Sequence, residues 1–142
     1  MEYKGVKVIR KPSFLNFIPG FSYTAQAISP LIFVTKEVYE SLCSENPNPK
    51  FVAVLEHEKK HIERQKSLGF FNFGVKYLFS PEFRFQEELL ATKEGMKYFK
   101  KNGLNFDTTK SAKFMSSWLY LWMVPYERAK KELDKLWEEL IL

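Results

Sequence analysis

Hydrophobic and polar positions follow two rhythms along this chain, and the rhythm changes near residue 35. Residues 5–10, GVKVIR, alternate and then turn at Pro12, the period-two pattern of a half-buried strand. Residues 22–28 (SYTAQAI) and 31–34 (LIFV) are also strand-like, punctuated by Ile18-Pro19-Gly20 and Pro30. From Thr35 the spacing becomes helical. Thr35 caps a short KEVYESLC helix, and Asn48-Pro49 opens a long one that runs to Leu68 and stops at Gly69. A further helix covers 71–79, and Ser80-Pro81 starts the next, which ends at Asn102-Gly103. Asp107 caps another, and Pro125 precedes a last amphipathic helix to about Leu140. Two or three strands followed by about five helices predict an α+β fold, with helices packed on one face of a small antiparallel or mixed N-terminal sheet.

Length and composition narrow this picture. With 142 residues and no repeat or dividing linker, the chain reads as a single domain over 1–142. Fourteen Phe supply large rings for a compact core. The formal charge of +5 is scattered, and the lysines at 97, 100, 101, 110 and 113 lack clustered arginines. No nucleic-acid partner is expected on that pattern. The lone Cys43 rules out an internal disulfide and a Cys-based zinc knuckle, and is expected to be a buried spectator. The N-terminal segment lacks the apolar run of a signal peptide, and no stretch approaches the ~20 apolar residues that span a bilayer. The expectation is a cytoplasmic protein with no membrane partner. The stripe Leu133, Leu136, Trp137 and Leu140 is expected to be core or a dimer face, and the oligomeric state stays open.

The chemistry-bearing residues lie between 57 and 88. VAVLEHEKKHIERQ contains His57-Glu58-Lys59-Lys60-His61, with both histidines of the chain inside the pattern. Residues four apart on a helix are offset by ~40° and ~6 Å, so both imidazoles lean toward one point and can share a zinc ion. Glu58 lies ~60° around the helix from His61, placed to take a proton from a zinc-bound water. A catalytic zinc needs a third protein ligand, and with no other histidine this must be a carboxylate. Glu56, Glu63, Glu82, Glu87, Glu88 and Glu94 are the nearby candidates. On the wheel of 81–102, Glu88 sits mid-face among Phe85, Leu89, Ala91, Gly95, Met96, Tyr98 and Phe99, while Glu87 falls on the margin. A buried carboxylate there needs a metal or a partner such as Arg84. Small Ala91 and Gly95 on the same face favour the metal, because they let this helix approach the histidine helix closely. Glu88 is the chosen ligand, with Glu87 left as the alternative.

Helix-borne His57-Glu58-x-x-His61, followed by Glu88-Leu89-Leu90-Ala91, resembles the gluzincin branch of the zincin metallopeptidases. The layout resembles the small stand-alone zincin domains of bacteria and phages. The likeness is specific over 51–99, vague over 22–45 and nearly absent after 103. It implies one zinc per chain on His57, His61 and Glu88, with Glu58 as general base in peptide-bond hydrolysis. The partner implied is a peptide or protein substrate lying along an edge strand, either 22–28 or 31–34, with LIFV favoured as sheet interior. Tyr120, Tyr126 and Arg84 are the candidate oxyanion donors. Tyr120 belongs to the stretch 118–122, WLYLW, which is expected in the core, and Arg64 and Gln65 are expected on a solvated helix surface. Two features depart from related patterns: Thr92 stands where an aspartate is common, and position 67 is Ser, with no third histidine of the metzincin kind. Competing readings are a zinc hydrolase of another amide or ester, such as a cell-wall peptide crosslink, and a non-catalytic zincin whose C-terminal helices bind a partner.

Overall fold

The computed structural model describes residues 1–17 and 24–141. Four strands come first: β1 (Glu2–Tyr3), β2 (Val6–Arg10), β3 (Ala25–Ile28) and β4 (Leu31–Val34). Six helices follow: α1 (Lys36–Leu42), α2 (Pro49–Leu68), α3 (Phe70–Phe79), α4 (Pro81–Lys101), α5 (Thr108–Met115) and α6 (Tyr126–Glu139). Short 3-10 turns occupy Ser13–Phe17 and Trp118–Tyr120. The α+β class agrees with the sequence pattern. The chain adds a two-residue strand at Glu2–Tyr3 and counts the short α1 among its helices. The turn assigned to Ile18-Pro19-Gly20 and the first two residues of the 22–28 segment lie outside the described residues.

The sheet is mixed, in the order β1-β2-β4-β3. β2 and β4 run parallel with Val8 opposite Ile32, whereas β1 and β3 pair antiparallel with their neighbours. LIFV is therefore an interior strand, as expected, and its Ile32 and Val34 are fully buried. β3 is the edge strand beside the long helix α2.

The helix starts follow their capping chemistry. Asn48 accepts a hydrogen bond from the Lys50 N–H at 3.0 Å, Ser80 from Phe83 at 3.2 Å and Asp107 from Lys110 at 2.8 Å, each satisfying an otherwise orphaned N-terminal donor. Pro49 and Pro81 occupy first-turn positions, where no N–H is needed. Gly69 (φ +84°) provides the abrupt joint between α2 and α3 that a side chain would strain.

Two apolar clusters flank the α2–α4 pair, which forms the most extensive helix contact. One joins Val6, Val8, Ile32, Val34 and Val38 to Leu55 and Ile62 of α2. The other joins Phe85 and Met96 of α4 to Met115, Ala129, Leu133 and Leu140, so the C-terminal stripe is core. Between the clusters, a Cβ on Gly95 would stand 3.2 Å from the Ala53 carbonyl oxygen. The close approach foreseen from Ala91 and Gly95 is thus present. Cys43 is exposed rather than buried, because it follows the short α1 at a surface turn. Among the described residues, no helix is long and apolar enough to cross a membrane.

Candidate metal centre

Three helices converge on one point. α2 contributes His57 and His61 from successive turns, and their Nε2 atoms are 3.2 Å apart. α4 contributes Glu88, with Oε2 3.3 Å from His57 Nε2 and Oε1 3.3 Å from His61 Nε2. Among the described residues these three form a group able to hold a metal ion. Glu88 is 2% exposed. A carboxylate so placed is costly without compensating charge. Burial pushes its pKa up, yet the two imidazoles outweigh this and hold it well below the usual carboxylate range. Burial likewise pulls His61 down, and Glu88 outweighs that, leaving it raised to about 9.

The third helix, α3, adds a group the sequence reading missed. The Tyr77 hydroxyl donates to Glu88 Oε1, and the Tyr120 hydroxyl lies 3.3 Å from Oε2. Burial first, and the Glu88 charge second, keep the Tyr77 phenol protonated far above its ordinary pKa, so it remains a donor. A signal existed for Tyr77. It stands four residues after Phe73, on the one face of α3 that turns inward, in the helix joining α2 to α4.

Glu58 is half-buried on α2 beside His57. Its negative charge helps to raise both the His61 and Tyr77 pKa values, which places it within electrostatic reach of the triad. The rival carboxylates are engaged elsewhere. Glu56 accepts from the Tyr3 hydroxyl and Lys4, tying β1 to α2. Glu63 pairs with Lys59 and Lys60, Glu94 with Lys97, and Glu82 with Arg128.

Several side chains sit differently from expectation. Glu87 is not marginal but buried, held by a forked Arg64 pair with contacts of 2.7, 3.0 and 3.1 Å. The α4 wheel alone misplaces it because α2 approaches closely enough to cover that margin too. Arg64 is consequently an interhelix clamp rather than a solvated residue. Gln65 is buried as well: it accepts from the Ser29 N–H at 2.8 Å and donates to the Ala27 carbonyl at 3.1 Å. That bond pair fixes edge strand β3 one turn beyond His61.

Arg84 does not pair with Glu88. It donates to the carbonyls of Tyr77 and Leu78, both at 2.9 Å, and to that of Tyr120 at 3.4 Å, capping the end of α3. Of the three candidate oxyanion donors, only Tyr120 reaches the triad through a hydroxyl; Tyr126 packs against the C-terminal cluster. The stretch around Tyr120 is not core, since Trp118, Leu121 and Trp122 are exposed. The chain matches no protein-family model, and no curated protein or solved structure matches it.

Proposed function

We propose that this chain is a small zinc metallopeptidase of the gluzincin kind, with a zincin-like fold. The observation that carries the reading is the mutual spacing of the triad. Nitrogen and oxygen ligands at roughly 2.0–2.2 Å around a tetrahedral zinc stand roughly 3.3–3.5 Å from one another. The histidine nitrogens stand 3.2 Å apart and each lies 3.3 Å from a different oxygen of Glu88, so a small turn of the carboxylate brings one oxygen to bear on an ion held between the two imidazoles. Two imidazoles and one carboxylate form a donor set that suits zinc. Three protein ligands also leave a fourth position, the hallmark of a catalytic rather than a structural site.

When bound, zinc supplies Lewis acidity, lowering the pKa of a water and polarising a carbonyl. The chain's residues supply the remainder. Glu58 takes the proton of the attacking water and delivers it to the leaving amine. Tyr77 fixes the orientation of the Glu88 carboxylate, and Tyr120, beside the same carboxylate, is placed to donate to the developing oxyanion. β3 supplies the edge along which an extended substrate lies, held in register with the site by Gln65.

The test is metal content by atomic emission for the parent, His57→Ala and Glu88→Gln, followed by peptide-library cleavage with Glu58→Gln as the inactive control. The expected result is one zinc per parent chain, lost in both ligand variants, with turnover abolished in Glu58→Gln while zinc is retained. A folded parent that stays metal-free in the presence of zinc refutes the reading. Bound zinc with no cleavage of peptides, esters or crosslinked cell-wall peptides would instead indicate a non-catalytic zincin.

A further inference from the structure

Helix α3 is apolar on two opposite faces, and only one of them is covered. Phe73 and Tyr77 point inward, toward His61 and Glu88. The outward stripe, Phe71, Val75, Leu78 and Phe79, follows helical spacing i, i+4, i+7, i+8 and is exposed, Phe71 to 83% and Phe79 to 77%. A helix apolar all round belongs in an interior. This one lies at the surface.

A second exposed apolar element adjoins it. Trp118, Leu121 and Trp122 project from the turn after α5, Trp122 to 73%. Leu121 and Trp122 both adopt left-handed backbone (φ +55° and +48°), a conformation that costs about 1 kcal/mol or more for side chains of this size. The two elements are contiguous because Arg84 binds the Tyr77 and Leu78 carbonyls on one side and the Tyr120 carbonyl on the other. Exposed Phe114 joins the patch through its ring contact with Tyr120, at 5.4 Å.

The segments that build this face carry charge of one sign, with the exposed acids Glu63, Asp107 and Glu127 standing just outside them. Residues 64–81 and 108–126 contain no Asp or Glu, whereas Lys66, Lys76, Lys110 and Lys113 fall within them and are exposed. The first carboxylate after α3, Glu82, is neutralised by Arg128 at 2.7 and 2.8 Å. A second copy of the chain is a poor fit for such a face. An isologous interface sets each rim against itself, and here cations would meet cations. An anionic lipid surface offers what the face lacks: an apolar layer for Phe and Leu, an interface for Trp, and negative headgroups for lysines. At ten residues, α3 is about 15 Å long, half the thickness of a hydrocarbon core, so it can lie in the interface but cannot span it.

We propose that the outer face of α3 and the Trp118–Trp122 turn form a docking surface for an anionic lipid bilayer. This departs from the expectation of no membrane partner. It stands independently of the peptidase reading, because it uses neither metal nor catalysis. The docked face is the back of the helix whose Tyr77 holds Glu88, so docking sets the metal centre close to the bilayer surface.

The experiment is co-sedimentation of the purified chain with vesicles of phosphatidylcholine alone and of phosphatidylcholine with phosphatidylserine, together with tryptophan emission. The parent is expected to sediment with the anionic vesicles, with a blue-shifted emission and a binding strength that falls as salt is raised. Phe71→Ser/Trp122→Ser is expected to bind about 100-fold more weakly, the effect of withdrawing two large apolar side chains from the interface. Because both positions are exposed, circular dichroism should be unchanged. Lys76→Glu/Lys113→Glu tests the rim with the apolar residues intact, and is expected to lose the preference for anionic vesicles. The proposal is overturned if the parent ignores both vesicles, if it binds both equally, or if the double aromatic variant binds as the parent does. A parent dimer in light scattering that Phe71→Ser/Trp122→Ser converts to monomer, with no vesicle binding, would assign the face to a second copy instead.

Discussion

Arg64→Ala should destabilise the fold and loosen the proposed metal site together. Glu87 is 2% exposed and takes three contacts from the Arg64 guanidinium, so removing Arg64 strands a carboxylate in the α2–α4 interface. Breaking a fully buried pair costs about 3–5 kcal/mol. The Arg64 side chain retains 31% exposure, so solvent screens part of the charge, and about 2–3 kcal/mol is the better figure. For a chain of this length that corresponds to a drop of about 6–10 °C in Tm, readable by calorimetry or urea titration on metal-free protein. Arg64→Ala/Glu87→Leu removes the stranded charge and should regain most of the loss, since an apolar side chain of similar volume suits that interface. Glu88 follows Glu87 directly and His61 lies one turn before Arg64, so zinc affinity of the single variant should also fall by about 10-fold. If Arg64→Ala stays within about 0.5 kcal/mol of the parent, or the double variant is no better than the single, Glu87 is not compensated as the geometry implies.

Tyr77→Phe removes a donor from a buried charged acceptor; it should cost about 1.5–3 kcal/mol in metal-free protein and weaken zinc binding about 10–100-fold, measured by competition with a chromophoric chelator. Gly95→Leu has no room beside the Ala53 carbonyl. By parting α2 from α4 it should destabilise by about 1–3 kcal/mol and lower zinc affinity, whereas solvent-facing Lys97→Leu should do neither. In metal-free protein the triad also sets a pH window. His61 is raised from 6.5 to about 9, so its contribution is complete below 6.5 and lost as pH rises through 9. Glu88 is depressed below 4.5, so its contribution is present above that value and lost as pH falls. Chelator-treated protein should therefore show its highest triad-dependent Tm between about pH 4.5 and 6.5, and His61→Gln should flatten the alkaline decline.

The sequence disclosed whatever rests on local chemistry. Asn48-Pro49, Ser80-Pro81 and Asp107 marked helix starts because capping needs only neighbouring residues. Glu88 was legible because a carboxylate in mid-face, flanked by Ala91 and Gly95, implies both a close helix and a compensating charge. What escaped depended on contacts distant in sequence. Arg64–Glu87 and Gln65–Ala27 join residues 23 and 38 positions apart, and a single helical wheel cannot display a partner. The outward stripe of α3 and Trp118–Trp122 has the composition of a core, and composition cannot say whether anything covers it.

The three candidate ligands and the Tyr77 donor beside them are not held equally firmly, and the difference has a structural cause. α2 is fastened to β1 through Glu56, to β3 through Gln65 and to α4 through Arg64 and the Gly95 contact. With both histidines on α2 and Glu88 on α4, the three candidate ligand positions are set by the helix pair in most extensive contact among the described residues. Tyr77 comes from a helix seated mainly by Phe73, Tyr77 itself and the Arg84 cap. Fewer buried contacts mean a lower free energy for local opening. Ligand spacing is therefore the fixed property of this site and the Tyr77–Glu88 bond the adjustable one. Whatever covers the outer face of α3 steadies that bond, because the same helix carries the docking stripe on one side and the donor to Glu88 on the other.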